Sequence, residues 1–291
     1  MSTRRYQLPD DFDQTIFDHL PSEELSSLSK HLNHDQLLSL DTLTLIVAKD
    51  NNLHALKYFP NLRYLRLKCD GDIDLTSLAN LTSLKHLVVS NANLENINFL
   101  IGNPKLTNLD FSDLSIADYS QLTSLKQLKS LRLKKCEIDD LRFLADLSYL
   151  ERLNLNENNI EELSPLTHMI SLKALDIEGN DVFDLGPLAA LSQITWIHAS
   201  RNNINDISSI TPLKNLTSLN ISHNQISNID SLSKLTKLQW IGLAFNQIRD
   251  ISPLNSLAKL RYIDIEGDSF NHQSTRTHIP NLEARGIEII R

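Results

Sequence analysis

The sequence predicts an α/β solenoid: a curved parallel β-sheet on a concave side, short 3₁₀ turns on a convex side, and an N-terminal helical cap. Three observations predict it. First, Leu40, Leu62, Leu84, Leu106, Leu128, Leu150, Leu172, Ile194, Leu216, Leu238, Leu260 and Leu282 recur every 22 residues without a slip. Second, each opens the pattern L-x-x-L-x-L, as in Leu150, Leu153, Leu155 or Leu216, Leu219, Ile221. Third, further apolar residues return at fixed offsets behind each lead residue, as Ile160, Leu163, Leu166 and Met169 do. A fixed period of this length marks a repeat array in which each rung touches only its neighbours. The organisation read from it is a cap over residues 1–39, an array over 40–281 and a truncated capping rung over 282–291.

The N-terminal segment reads as helices over residues 10–39. Phe12, Ile16 and Leu20 fall on one helical face, and Leu25, Leu28 and Leu32 on another. An open end rung exposes its core, so solenoids carry such caps.

Within one rung, Leu153 and Leu155 alternate with Arg152, Asn154 and Asn156, which is a short strand with one apolar and one polar face. Leu163, Leu166 and Met169 then recur at spacing three, which suits a short 3₁₀ turn. Ser164-Pro165, Gly186-Pro187 and Ser252-Pro253 stand where that turn begins, with proline supplying a preset φ at a first helical position. Burial of each apolar side chain is worth about 1.5–3 kcal/mol, enough to order a rung only when neighbours cover both ends.

Asparagine fills offset eight in five consecutive rungs: Asn158, Asn180, Asn202, Asn224 and Asn246. An amide carries donors and acceptors together, so a buried ladder of them can satisfy loop backbone groups. Ala48, Asp70, Ala92, Leu114 and Cys136 occupy the same offset earlier. Unpaired groups cost about 1–3 kcal/mol each, so the first half is expected to be less stable locally. Asn103, at an otherwise apolar offset before Pro104, marks an expected irregular turn. At the C-terminus, Ile279, Leu282, Ile287 and Ile289 are expected to continue the strand pattern after a loose polar turn over 267–278.

These motifs resemble the 22-residue, internalin-like class of leucine-rich repeats. The likeness is densest at Asn202, Ile204, Asp206, Ile207 and at Asn246, Ile248, Asp250, Ile251, Pro253, Leu254, and it spans about residues 40–290. It implies a leucine-rich-repeat solenoid and a protein partner, the partner's identity being open because one fold hosts many functions. A second resemblance lies over residues 20–40, where Leu20, Pro21, Glu23, Leu25, Leu28, Leu32, Leu37 and Leu38 have the spacing of an F-box. It implies a substrate receptor recruiting targets to a ubiquitin ligase. The segment departs from that pattern where a third helix is due, because Leu40 to Ala48 already form the first repeat strand.

Composition narrows the setting. Of 291 residues, 36 are acidic and 28 are Lys or Arg, a net charge of −8 that opposes general nucleic-acid binding. No run approaches the 18 or so apolar residues of a membrane span. The N-terminus lacks the apolar core of a secretory signal. Cys69 and Cys136 lie three rungs apart, about 14 Å at about 4.8 Å per rung, beyond disulfide reach. The expected setting is therefore a cytoplasm, or a host cytosol reached by an effector without a standard signal peptide. In that setting the sequons at Asn80, Asn215 and Asn220 carry no glycan.

Catalytic motifs are absent: no phosphate-binding glycine loop, H-E-x-x-H or C-x-x-C occurs. Asp176, His198 and Asn220 stack at offset four, with Ser200 and Ser222 on the same face, so a hydrolase is one alternative. An open sheet offers that chemistry no water-excluding pocket. His198 and His223 lack further ligands at metal spacing. The expectation is a non-enzyme without metal or cofactor, monomeric alone.

The candidate binding site is the concave face. Trp196, Trp240 and Tyr262 share offset two, and Phe245 edges them. Ser218 between the two tryptophans is expected to leave a shallow cleft with exposed indole walls, of the kind that forms binding hot spots. His198 lies beside it, and Asp176, Glu178, Asp264 and Glu266 supply negative charge. Arg66, Lys68, Arg132, Lys134, Lys135 and Arg152 lie on the early rungs, with Asp110 as an exception, so the expected partner has opposite polarity in one register.

Overall fold

A computed structural model describes residues 20–21, 39–47 and 53–291. Thirteen parallel strands form one open sheet in strict chain order. They are β1 (Leu20–Pro21), β2 (Thr42–Val47), β3 (Tyr64–Asp72), β4 (His86–Leu94), β5 (Asn108–Ile116), β6 (Ser130–Lys134), β7 (Arg152–Asn154), β8 (Ala174–Asp176), β9 (Trp196–His198), β10 (Ser218–Asn220), β11 (Trp240–Gly242), β12 (Tyr262–Asp264) and β13 (Glu288–Ile290). From β2 to β12 neighbouring strands pair residues 22 positions apart, Leu153 opposite Leu175 and Leu219 opposite Ile241, except beyond a bulge in β3, where Gly71 lies opposite Ala92. Short 3₁₀ turns return the chain on the other side, and prolines open those at Ser164–His168, Gly186–Ala190 and Ser252–Ser256. The repeated leucines and isoleucines between the two layers form one continuous buried column.

The asparagine ladder forms as expected from Asn158 onward. The Nδ2 group of Asn180 donates to the carbonyls of Leu155, Ile177 and Glu178, and its Oδ1 accepts from the Ile160 amide. Asn202 and Asn224 repeat the pattern, as does half-buried Asn246.

The earlier rungs are not left unpaired, contrary to expectation. There β3, β4 and β5 run for nine residues each, where β7 to β12 run for three. Their extra length pairs Ala92 with Leu114 and Asn93 with Ser115, so backbone bonds replace the missing amides. At Cys136 the buried thiol faces the carbonyls of Phe111 and Lys134, two positions of the ladder pattern. Asn103 is fully buried and donates to the carbonyls of Leu78 and Leu81. Its turn is regular, closed by the same amide-to-carbonyl bonds as its neighbours.

Both ends differ from expectation. The helical cap and the F-box-like segment fall outside the described residues, apart from Leu20–Pro21 and the few residues from Ser39. Leu20 and Pro21 form a strand beside Leu45 and Ile46, not part of a helix, extending the sheet by one member. At the other end, a π-helical turn at Ser274–His278 leads into α1 (Ile279–Ala284). Leu282 therefore leads no strand. It and Ile279, three apart on one helical face, plug the end of the core, and β13 then joins β12.

Candidate functional site

The polar face of the sheet is set by register. Ala174, Trp196, Ser218, Trp240 and Tyr262 lie side by side on consecutive strands, as do Asp176, His198, Asn220, Gly242 and Asp264. The columns read from the 22-residue period are therefore real neighbours. What the period could not show is how side chains lean within them.

The expected cleft between two exposed indoles does not form. Trp196 is only 6% exposed and packs edge-on against His198, with ring centroids 5.8 Å apart. Ala174 and Ser218 on either side are small, which lets the indole lie down on the sheet. Trp240 stacks on Tyr262 instead, 5.4 Å apart and tilted by 7°. Gly242 permits this: a Cβ there would lie 2.8 Å from the Trp240 ring and 2.5 Å from Oδ1 of Asn220. The site is thus a half-buried, two-ring platform at the C-terminal end.

Phe245 stands at the rim, 45% exposed, stacked on His223 at 4.5 Å. Its φ is +55°, but every rung from Asn91 to Gly267 bends through a left-handed residue here. The bend belongs to the repeat; an exposed phenylalanine at it does not follow from the bend. Gly267 lies under the ring, where a Cβ would come within 2.6 Å of it.

His198 and Asp176 are buried as a polar network. Asp176, 2% exposed, accepts from Nδ2 of Asn154 and Asn156 through Oδ2, and its Oδ1 lies 3.2 Å from Nδ1 of His198. His198 Nε2 lies 2.8 Å from Oγ of Ser200 and 3.8 Å from Glu178. The carboxylate, imidazole and hydroxyl stand in the order of a hydrolase relay. Ser200, however, is 4% exposed. The neighbouring amides of Glu178, Arg201 and Ser222 all donate within the protein, to Asn156, to the Ser222 carbonyl and to Asn220. That leaves none of these three to hold an oxyanion. The amides of Asn154 and Asn156, which anchor the network, were legible only as strand residues.

Charge is distributed less simply than its order suggests. Arg132 lies 3.9 Å from Asp110, Lys134 2.7 Å from Glu157, and Lys135 3.1 Å from Glu157. The basic end is therefore largely matched internally, and burial raises the Asp110 carboxyl despite Arg132 and Arg66 nearby. At the acidic end, Asp264, Glu266 and Glu288 have no Lys or Arg within ion-pair distance among the described residues. Burial raises the Asp264 carboxyl, and the Glu266 charge adds to this. Burial likewise raises the Tyr262 hydroxyl, with Asp264 and Glu288 contributing. Glu288 is a member of this group that the repeat pattern did not reveal, because it arrives on the capping strand.

A separate groove of about 690 Å³ opens where β3, β4 and β5 end, lined by Asp72, Asn93, Glu95, Phe99 and Ser115. Cys69 and Cys136 are buried free thiols, each pushed up to about 12 by burial. No group of three potential metal ligands occurs among the described residues, and no described helix is long and apolar enough to cross a membrane.

An open parallel sheet backed by 3₁₀ turns and stitched by stacked asparagines is the fold of a leucine-rich-repeat solenoid. A leucine-rich-repeat family profile matches residues 192–248. Within that class the architecture is internalin-like. A Listeria monocytogenes internalin, InlF, is 23% identical, with 92% of this chain and 87% of that one covered at a TM-score of 0.78. A leucine-rich-repeat protein of Leptospira interrogans is 19% identical, with 94% and 82% covered at 0.69. The plant peptide hormone receptor RGFR1, solved in complex with RGF2, is 19% identical, with 87% and 50% covered at 0.56. No curated protein matches the sequence. At these identities the likeness establishes the fold.

Proposed function

We propose that the chain is a non-catalytic recognition module that binds a protein partner on the concave face. The site centres on Trp240, Tyr262 and Phe245. Asp264, Glu266 and Glu288 surround it and receive basic side chains of the partner. One observation carries this reading: the stacked Trp240–Tyr262 pair lies beside carboxylates that no Lys or Arg among the described residues matches. Desolvated aromatic anchors ringed by charge are what interface hot spots consist of. A cation over an aromatic face adds about 0.5–2 kcal/mol. Trp196 and His198 lie two rungs before Trp240, and Asp176 and Glu178 three; Trp196, His198 and Asp176 are too buried to offer much contact. RGFR1, a plant peptide hormone receptor of similar architecture solved in complex with RGF2, lends support to a peptide or protein ligand here.

The test is affinity capture with the full chain, a Trp240→Ala variant and a Lys214→Ala control on the opposite side. A partner retained by the parent and the control should be lost by Trp240→Ala, with affinity down about thirtyfold or more, while circular dichroism stays unchanged. Equal retention by all three would remove the platform from the interface. Loss of a ubiquitin-ligase adaptor from a fourth variant lacking residues 1–39 would instead support the ligase-adaptor reading.

A further inference from the structure

The asparagine ladder ends on a different chemistry. Asp268 occupies the next position after Asn246, and its Oδ1 accepts from the Ile248 amide at 2.9 Å as each asparagine oxygen does one rung earlier. In every asparagine of the ladder the second terminal atom is Nδ2, which donates to carbonyls 25, three and two residues back; for Asn246 these are Ile221, Leu243 and Ala244. In Asp268 that second atom is Oδ2, an oxygen placed where the ladder requires a donor. It is buried and has no hydrogen-bond partner. A carboxylate there confronts acceptors with an acceptor; a carboxylic acid has the one proton needed.

We propose that Asp268 is a protonation switch at the end of the array. As an acid it completes the ladder and ties the turn around Gly267 to the rung beneath; as a carboxylate it loosens that turn. Burial raises the carboxyl to about 6, while the backbone amides of Ile248 and Asn246 act in the opposite direction. Few charged groups lie on the packed elements. Arg249 lines the groove beside Gly267 and Ser269, and Asp250 accepts from Ser252 and Ser274. His278 meets Asn255, and Asp264 accepts from the Glu266 amide. His272 and Arg276 lie on the exposed side of the following segment, and Glu266 is exposed. Among the described residues none forms an ion pair with Asp268. The sign follows from linkage: stabilisation by the protonated acid is complete below about pH 4 and is lost as pH rises through about 6. Its consequence reaches the rim, because the Gly267 turn lies against the Phe245 ring.

Two measurements on the full chain test this. The Asp268 side-chain carboxyl is titrated by ¹³C NMR, assigned by its absence in Asp268→Asn. Exchange of the Ile248 amide is followed in parent and variant between pH 4.5 and 7.5, corrected for intrinsic rates. The expected result is a titration midpoint above about 5.5. The opening constant at Ile248 should rise about tenfold or more across this range in the parent and stay flat in Asp268→Asn. A midpoint at or below about 5, or parallel behaviour of parent and variant, would overturn the switch. The titration is read in the parent, the variant serving only for assignment, and neither measurement depends on the partner.

Discussion

The two halves of the array solve one problem in two ways. Each rung must leave the sheet, turn a corner and return, and at the corner its backbone groups need partners. Around Asn202, β9 ends after three residues and a buried amide bonds the corner. Around Ala92, β4 runs on for nine residues and the corner bonds its neighbours mainly by backbone, with one side-chain bond from Nδ2 of Asn93 to Oδ1 of Asp72. The comparison teaches that the ladder is one way to satisfy the corner and not a condition of the fold. It also shows what side chains add. An extended strand continues its pairing into the corner, whereas a side-chain corner ends the strand early and leaves a short, even face on which a platform like Trp240–Tyr262 can be laid.

The sharpest way to break the comparison is to remove a polar group from the later half. Asp176→Ala should be the most damaging change, about 3 kcal/mol or more, because it strips the acceptor from two buried amides and from His198. Thermal or urea unfolding measures it, and a loss under about 1 kcal/mol would mean that water replaces the carboxylate. Asn202→Ala follows, at about 2–3 kcal/mol, since it orphans the Val182 amide and three carbonyls lose one donor. Hydrogen exchange then compares the halves directly. Amides of residues 86–116 should be protected about as well as those of 152–224, because backbone pairing replaces the ladder. Faster exchange confined to 86–116 would show the extended strands to be the weaker solution. The smallest effect is expected at Asn103→Leu. Oδ1 of Asn103 is buried without a partner, and the carbonyls it serves also accept backbone amides. Leucine fills this offset in most rungs, so the change should be neutral or stabilising by up to about 1 kcal/mol.

The sequence determined by itself everything that follows from period: the rung length, strand register, the 3₁₀ turns, the buried leucines and the amide ladder. A 22-residue repeat makes each position's neighbours known in advance, because offset alone says what lies one rung away. It also placed Trp240, Tyr262, Asp264 and Glu266 in one neighbourhood. Tertiary structure decided what period leaves free. Whether an indole stands up or lies down depends on the size of residues beside it, so Trp196 sinks between Ala174 and Ser218 while Trp240 covers Gly242. How a missing asparagine is replaced depends on how far the backbone can continue, which no single side chain states. The end of the array obeys neither rule: where the repeat stops, a helix carrying Ile279 and Leu282 closes the core, and Glu288 arrives from outside the pattern. Periodicity fixes contacts between equivalent positions; the unequal side chains and the open ends are settled only by packing in three dimensions.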